Sequence, residues 1–222
     1  SGASQGLGEY CAKQMSQKGA NIALVSRNEE NLNRVLNLCD TSNNNIVVPA
    51  DITNSIDCAN KIDEVISHFN GKIDSVIHSA GGGLGYRDPL IDFDDFIKLF
   101  STNLAGQSLI NKLVIPIMRN NCNGNIVHVS SVASREAMGS VGYNTVKAAI
   151  NAYVRSLGNE LANTGVVITG IIPGAFTANN NAMERFKNTN PKGFSDYENR
   201  LPRGKVADVA EMYSLIEFLA SE

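Results

Sequence analysis

A chain of 222 residues with 43% hydrophobic side chains is long enough to bury a sizeable core. Its 22 acidic against 19 basic residues leave a formal net charge of −3, so no overall positive field draws nucleic acid or an anionic membrane. No apolar run reaches the length of a membrane span, no signal peptide is visible, and Cys11, Cys39, Cys58 and Cys122 stand isolated, without metal-ligand spacing. Scattered thiols of this kind imply no metal and a reducing, cytoplasmic setting.

The chain opens on Ser1-Gly2-Ala3-Ser4-Gln5-Gly6-Leu7-Gly8, and residues 9–18 read as a helix that Gly19 would end. A glycine-rich turn feeding a helix lets bare backbone approach a pyrophosphate, and the helix N-terminus adds partial positive charge. Residues 21–26 form a short apolar strand, followed by Arg27 and a polar helix over about 28–39. Residues 46–50 form the next strand, with Pro49 near its end and Asp51 after it. Asn54 or Ser55 caps a helix to about Phe69, whose Ile62, Val65, Ile66 and Phe69 recur at core spacing.

Residues 73–79 form a third strand ending in Ala80-Gly81-Gly82-Gly83, and 84–92 a loop. A helix over 93–118 is expected to be interrupted or bent near Gly106 and Pro116. Residues 126–130 form a fourth strand ending at Ser130-Ser131, the helix carrying Tyr143 runs to about 163, and 166–172 form a fifth strand before Pro173-Gly174. Residues 175–205 read as a long polar loop and 206–220 as the last helix. Alternating helices and near-continuous apolar strands describe an α/β fold: a doubly wound parallel sheet covered on both faces, as one domain over 1–222.

Tyr143 and Lys147 stand one helical turn apart on one face. A phenol beside an ammonium is a proton-transfer pair, because the positive charge favours phenolate and lowers the tyrosine pKa. Alone, this spacing is usually a surface pair. Here the glycine-rich opening, Ser130-Ser131 and Pro173-Gly174 lie at the carboxyl ends of the expected strands, where such sheets bind ligands.

In that order, Gly2/Gly6/Gly8, Arg27, Asp51, Ala80-Gly81, Ser130-Ser131, Tyr143/Lys147 and Pro173-Gly174 resemble the short-chain dehydrogenase/reductase family, of the kind including 3-oxoacyl-carrier-protein reductases. The resemblance covers the whole chain and implies a Rossmann-like, three-layer αβα fold. Ser1 to Gly8 is similar to the family's Thr-Gly-x-x-x-Gly-x-Gly turn, which implies cofactor contacts at Gly2, Ser4, Gln5, Gly6, Leu7 and Gly8. Asp51-Ile52 resembles the pair that holds the adenine. Ala80-Gly81 matches the end of Asn-Asn-Ala-Gly, with His78-Ser79 in place of the asparagines; this departure touches sheet-stabilising hydrogen bonds, and His78 is read as a satisfied core histidine.

Asn103 resembles the helix asparagine whose carbonyl holds a relay water near the catalytic lysine. Ser131 resembles the serine that orients the substrate carbonyl; the interval to Tyr143 is a residue shorter than the common form, so Ser130 is kept in reserve. Pro173, Gly174 and Thr177 are similar to the segment that meets the nicotinamide carboxamide, and 176–205 to the substrate lid.

A carboxylate after the strand at 21–26 would accept the ribose hydroxyl of NAD, but that place holds Ser26 and then Arg27. A guanidinium suits a phosphate by charge and fork geometry, so NADP(H) is favoured over NAD(H). The implied reaction moves hydride between nicotinamide and a carbonyl or secondary alcohol. Tyr143 would be the general acid/base, Ser131 the donor to the substrate oxygen, Lys147 the group that tunes Tyr143 and grips the ribose, and Asn103 the relay. A catalytically silent nucleotide sensor or scaffold would need none of these, and a methyltransferase would share only the glycine-rich opening. The family further implies a small-molecule substrate, free or carrier-linked, and a homodimer or homotetramer, while the charge balance implies no nucleic-acid or membrane partner. It also begins with a strand before the glycine-rich turn and ends with one after the last helix; neither is in the sequence, so a gap is expected at the centre of the sheet.

Overall fold

The computed structural model describes residues 1–221. Helix α1 (Gly6–Gln17) leads to β1 (Ala23–Ser26), α2 (Glu29–Leu36) to β2 (Ile46–Pro49), and α3 (Ser55–His68) to β3 (Ser75–His78). After a long connection come α4 (Phe93–Phe100), one π-helical turn (Ser101–Ala105), α5 (Gly106–Asn120) and β4 (Gly124–Val129). A 3-10 turn (Val132–Ser134) precedes α6 (Val141–Glu160) and β5 (Val166–Ile171). The chain then forms β6 (Phe176–Thr177), α7 (Ala182–Thr189), α8 (Pro191–Glu198), β7 (Ala207–Asp208) and α9 (Val209–Ser221). Several helix starts are set by asparagine: the side chains of Asn28, Asn54, Asn181 and Asn190 accept first-turn N–H groups of α2, α3, α7 and α8.

Every strand pairing is parallel, with Ala23 opposite Ile46, Ser75 opposite Asn125 and Gly124 opposite Val166. The five longer strands fall into two hydrogen-bonded sets, β1-β2 and β3-β4-β5, and the short β6 and β7 pair apart from them. Ser1 to Ala3 joins them at the carboxyl edge. Gly2 N–H and Ala3 N–H donate to Val25 O at 2.9 and 3.3 Å, the Ser1 nitrogen donates to Ile77 O at 2.7 Å, and Ser79 N–H donates to Ser1 O at 3.1 Å. Beyond this link a cavity of about 620 Å³ separates β1 from β3, walled by Ile22, Val25, Ile62, Val76, Ile77 and Val114. Ser1 to Ala3 thus bridges the two sets at their carboxyl end.

Helices cover both faces. On one side α3, α5 and α6 bury Ile62, Val114 and Ile150 against Val48, Ile126 and Ile168. On the other, α1 and α9 bury Leu7, Cys11, Tyr213 and Ile216 against Val127 and Ile171, while α2 places Leu32 and Val35 on Leu24. Strand alternation explains the split: Ile126 faces one core and Val127 the other. Each fully buried Leu or Ile contributes about 1.5–3 kcal/mol.

The helix expected over 93–118 continues through Pro116, and its irregularity is the π turn just before Gly106. The expected polar loop is more ordered than its composition implied. Phe186 of α7 packs on Phe194 of α8 with ring centroids 5.9 Å apart, and Phe176 pairs with Ala207. That pairing consumes Ala207-Asp208, so the last helix starts at Val209. No helix among the described residues is long and apolar enough to cross a membrane.

Candidate active site

Parallel strands bring all their carboxyl ends to one edge, and the expected site residues collect there. The glycine-rich turn lies directly against the end of β3. Gly2 has φ +79°, and a Cβ on it would fall 2.5 Å from Ala80 N. A Cβ at Gly8 would fall 2.2 Å from Gly2 O, so α1 starts in backbone contact with the turn. Gly6 N–H, at the start of α1, donates to Asn179 O at 2.9 Å, and Gln5 Oε1 accepts from Asn180 Nδ2 at 2.8 Å. Ser4 O accepts from Arg34 at 3.1 Å, and the Leu7 side chain points into the core, which leaves only its backbone for a ligand.

Glu9, unsuspected from the sequence, is buried behind this turn. Arg34 binds both its oxygens, at 3.0 and 2.7 Å, and Asn179 Nδ2 donates to Oε2 at 2.8 Å. Burial opposes the carboxylate, but the Arg34 and Asn179 hydrogen bonds and the Arg34 charge outweigh it and hold the pKa below 4.5.

At the end of β1 the Ser26 hydroxyl is enclosed with no hydrogen-bond partner, beside an exposed Arg27. At the end of β2, Asp51 Oδ1 accepts from Thr53 N–H and Oγ1 at 3.0 and 2.7 Å. Burial works against that carboxylate too, yet the Thr53 bonds and the Arg27 charge keep its pKa low. An orphaned hydroxyl and an exposed guanidinium at the end of β1 fit the ribose end of a dinucleotide, just as the bare turn fits its phosphates. Ile52 packs against the start of α5, its carbonyl close to Gly106. Beyond β5, Pro173 O accepts from Val132 N–H at 3.0 Å, Gly174 is open, and Thr177 Oγ1 donates to Ala207 O at 3.4 Å.

Tyr143 and Lys147 share the inner face of α6, with the ammonium 5.6 Å from the phenol ring centre. Lys147 is buried and donates to Val129 O at 3.0 Å; desolvation pulls its pKa down to about 8. The tyrosine departs from expectation. Burial raises the phenol's pKa, and the Ser131 hydroxyl, as a hydrogen-bond partner, offsets that only in part. The two serines differ: the Ser131 hydroxyl lowers the phenol's pKa, whereas buried Ser130 donates to Lys147 O at 3.0 Å and ties α6 to β4. Asn103 sits in the π turn, fully buried. Its Oδ1 accepts from Gly82 N–H and its Nδ2 donates to Gly82 O, both at 3.0 Å, with a further bond to Leu99 O at 2.9 Å. Asn103 and Lys147 bound the space beside Gly81.

His78 is satisfied, as expected of a core histidine, and belongs to a larger buried set. His78, Asn111, His128 and Gln107 are hydrogen-bonded in sequence between Ser1 and the carbonyl of Ala80, and Tyr153 joins at Asn111. Ser79 takes the remaining place of the family asparagines, donating to Ser1 O at 2.9 Å. The one available signal was strand parity. His78 and His128 are opposite each other in register, and His128 shares a face with Ile126, toward α5. Among the described residues no cluster of His, Cys, Asp or Glu is arranged to hold a metal ion.

Residues 1–189 match the short chain dehydrogenase family model. An uncharacterized oxidoreductase of Staphylococcus epidermidis is 37% identical over 174 residues, covering 78% of this chain and 74% of the relative. The structure of ElxO with NADP bound superposes with a TM-score of 0.89 at 22% identity, over 100% of this chain and 90% of the other. A 7α-hydroxysteroid dehydrogenase complexed with NADH and 7-oxo glycochenodeoxycholic acid gives 0.88 at 24%, over 100% and 85%. The two solved structures speak for the fold, and the family match and the relative for the lineage: this chain belongs to the short-chain dehydrogenase/reductase family of oxidoreductases.

Proposed function

We propose that the protein is an NADP(H)-dependent oxidoreductase that interconverts a small carbonyl compound and its secondary alcohol. The observation that carries this reading is the grouping of Tyr143, Ser131 and a buried Lys147 beside Gly81-Gly82 at the strand ends. When bound, a nicotinamide supplies or accepts the hydride. Tyr143 Oη then holds the proton given to, or taken from, the substrate oxygen. Ser131 donates to that same oxygen and steadies the charge developing there. Lys147 brings an uncompensated positive charge to the site, which favours phenolate once it turns toward the phenol, and its ammonium is suited to the nicotinamide ribose. Asn103 fixes Gly82 and thereby the loop along which the nicotinamide would lie.

The glycine-rich turn, Asp51, Ile52, Ala80, Gly81, Pro173, Gly174 and Thr177 would hold the remainder of the dinucleotide. NADP(H) is preferred to NAD(H) because Arg27 and the unpartnered Ser26 hydroxyl suit a 2′-phosphate, and Ser26-Arg27-Asn28 at the end of β1 carries no carboxylate of its own. The relatives bound to NADP and to NADH divide on this point, so the argument rests on this chain's own residues. Four unpaired cysteines suit a reducing cytoplasm. A homodimer or homotetramer is supported by the exposed stripe Phe93, Ile97 and Phe100 along α4.

The test is NADPH oxidation across a panel of aldehydes, ketones and carrier-linked ketones, with Tyr143→Phe beside the parent. Turnover should fall by about 10²–10⁴ in the variant, with NADPH affinity retained. Full turnover by Tyr143→Phe removes the tyrosine from the mechanism.

A further inference from the structure

The buried polar set beneath the site has a direction, and the direction is fixed from one end. A backbone carbonyl can only accept, so Gln107 must turn its amide nitrogen to Ala80 O, 2.7 Å away. Its amide oxygen therefore faces His128 Nδ1 at 2.9 Å, and that nitrogen must carry the proton. His128 Nε2 is then bare and accepts from Asn111 Nδ2 at 3.0 Å. Asn111 consequently presents its oxygen to His78 Nε2 at 2.8 Å, which must be protonated. His78 Nδ1 is left to accept from the Ser1 hydroxyl at 3.2 Å. Each member donates forward and accepts from behind, from the glycine-rich turn to the end of β3.

We propose that His128, with Gln107, Asn111 and His78, is a positioning element for the cofactor site: a one-way hydrogen-bond chain holding the Ala80-Gly81 backbone and the Ser1 turn in mutual register. The inference rests on the reading of this edge as a nicotinamide-nucleotide site. Gln107 lies four residues beyond Asn103, so two side-chain amides grip one short stretch of backbone, at Ala80 O and at both polar atoms of Gly82. Both ring nitrogens of His128 are engaged inside the protein. Its action is on the orientation of Gln107. Aligned hydrogen bonds polarise one another in a low-dielectric interior, and a chain with one wrong-way member leaves a buried group unpaired. Both rings must remain neutral for this arrangement. Burial first, and then their mutual proximity, pushes His78 well below its usual value; burial and the Lys147 charge take His128 to about 3.

With three histidines in the chain, long-range ¹H–¹⁵N correlation of the labelled wild-type protein reads the tautomers directly. The expected result is an Nδ1–H tautomer for His128 and an Nε2–H tautomer for His78, both unchanged from about pH 8 to about pH 5. Either ring in the opposite tautomer, or charged in that range, overturns the chain. NADPH titration then separates positioning from mere packing. His128→Leu should weaken NADPH binding about tenfold, raising its KM more than it lowers kcat. His128→Asn keeps an amide donor where Nδ1 was but not the Nε2 acceptor, so its NADPH affinity should fall between those of the parent and the leucine variant. A leucine variant that binds NADPH as tightly as the parent refutes the positioning role. A parent protein that binds neither NADPH nor NADH refutes the functional reading instead, and the tautomers still decide the chain.

Discussion

Lys147→Met should make the nucleotide-free protein more stable while abolishing turnover. The lysine is buried, its ammonium is held by one carbonyl, Val129 O at 3.0 Å, and desolvation alone accounts for its fall from 10.5 to about 8. At about 1.4 kcal/mol for each pH unit, that fall means the folded state carries a charged Lys147 at neutral pH at a cost of about 3 kcal/mol. Methionine has similar length and no charge. Removing the ammonium also removes the bond to Val129 O, worth about 1 kcal/mol. The net expectation is a gain of about 2 kcal/mol, or roughly 4–8 °C in Tm for a chain of this size.

The sign with pH separates this from a packing effect. A lysine whose folded pKa is depressed binds fewer protons folded than unfolded between about 8 and 10.5, so wild-type stability rises across that window. The advantage of Lys147→Met should therefore be full at pH 7, shrink as the pH climbs through 8, and be lost by 10.5. Urea denaturation of both proteins at several pH values, without added nucleotide, gives the curves. A variant less stable than wild type at pH 7, or an advantage that does not change with pH, would refute the reasoning.

Arg27→Asp should exchange the preferred cofactor, lowering kcat/KM with NADPH by about tenfold or more and improving NADH, because a carboxylate repels the 2′-phosphate; unchanged ratios would show that Arg27 is only a solvated strand-end charge. Gly106→Ala would put a Cβ 2.3 Å from Ile52 O, so α5 must back away from the β2 loop. A loss of about 1–3 kcal/mol in urea unfolding is expected, together with weaker nucleotide binding through the displaced Asp51-Ile52 loop. Arg34→Ala strips Glu9 of its main partner; since Arg34 is half exposed, about 1 kcal/mol is at stake. A depressed carboxylate stabilises above its unfolded pKa and loses that contribution as pH falls, so the penalty should be full at pH 7 and fade below 4.5.

The fold was legible because parallel sheets announce themselves. Strands buried on both faces are near-continuous apolar runs, and residues 126–130 or 166–172 read as nothing else. The strand-end motifs were legible for the same reason: glycine turns and paired serines break those runs at the functional edge. What escaped were contacts set by tertiary register. Nothing in the local sequence tells Glu9 that Arg34 and Asn179 will meet it, since they come from different elements and distant positions. The helices within 175–205 hid behind a polar composition that carries few apolar residues, among them the packed pair Phe186 and Phe194. The rise in the Tyr143 pKa in the nucleotide-free chain was not legible, because spacing reports that a lysine is near but not how deeply the phenol is buried.

Strand parity, which spacing does not report, gives Ser130 and Ser131 different surroundings. Side chains along β4 alternate, so Ile126, His128 and Ser130 point to the α5–α6 side. Ile126 fills the core, His128 meets Gln107 and Asn111, and Ser130 reaches Lys147 O. That face grades from apolar to imidazole to hydroxyl as it nears the carboxyl edge, and its last polar group is spent on holding α6 in place. Ser131 lies past the end of the ladder, where extended backbone (φ −167°) turns its hydroxyl away from that row. There it also accepts from Ala133 N–H, capping the 3-10 turn that takes up the loop. Ser130 thus holds α6 through Lys147 O and the 3-10 turn holds Ser131, two restraints that do not depend on the length of the loop between Ser131 and Tyr143.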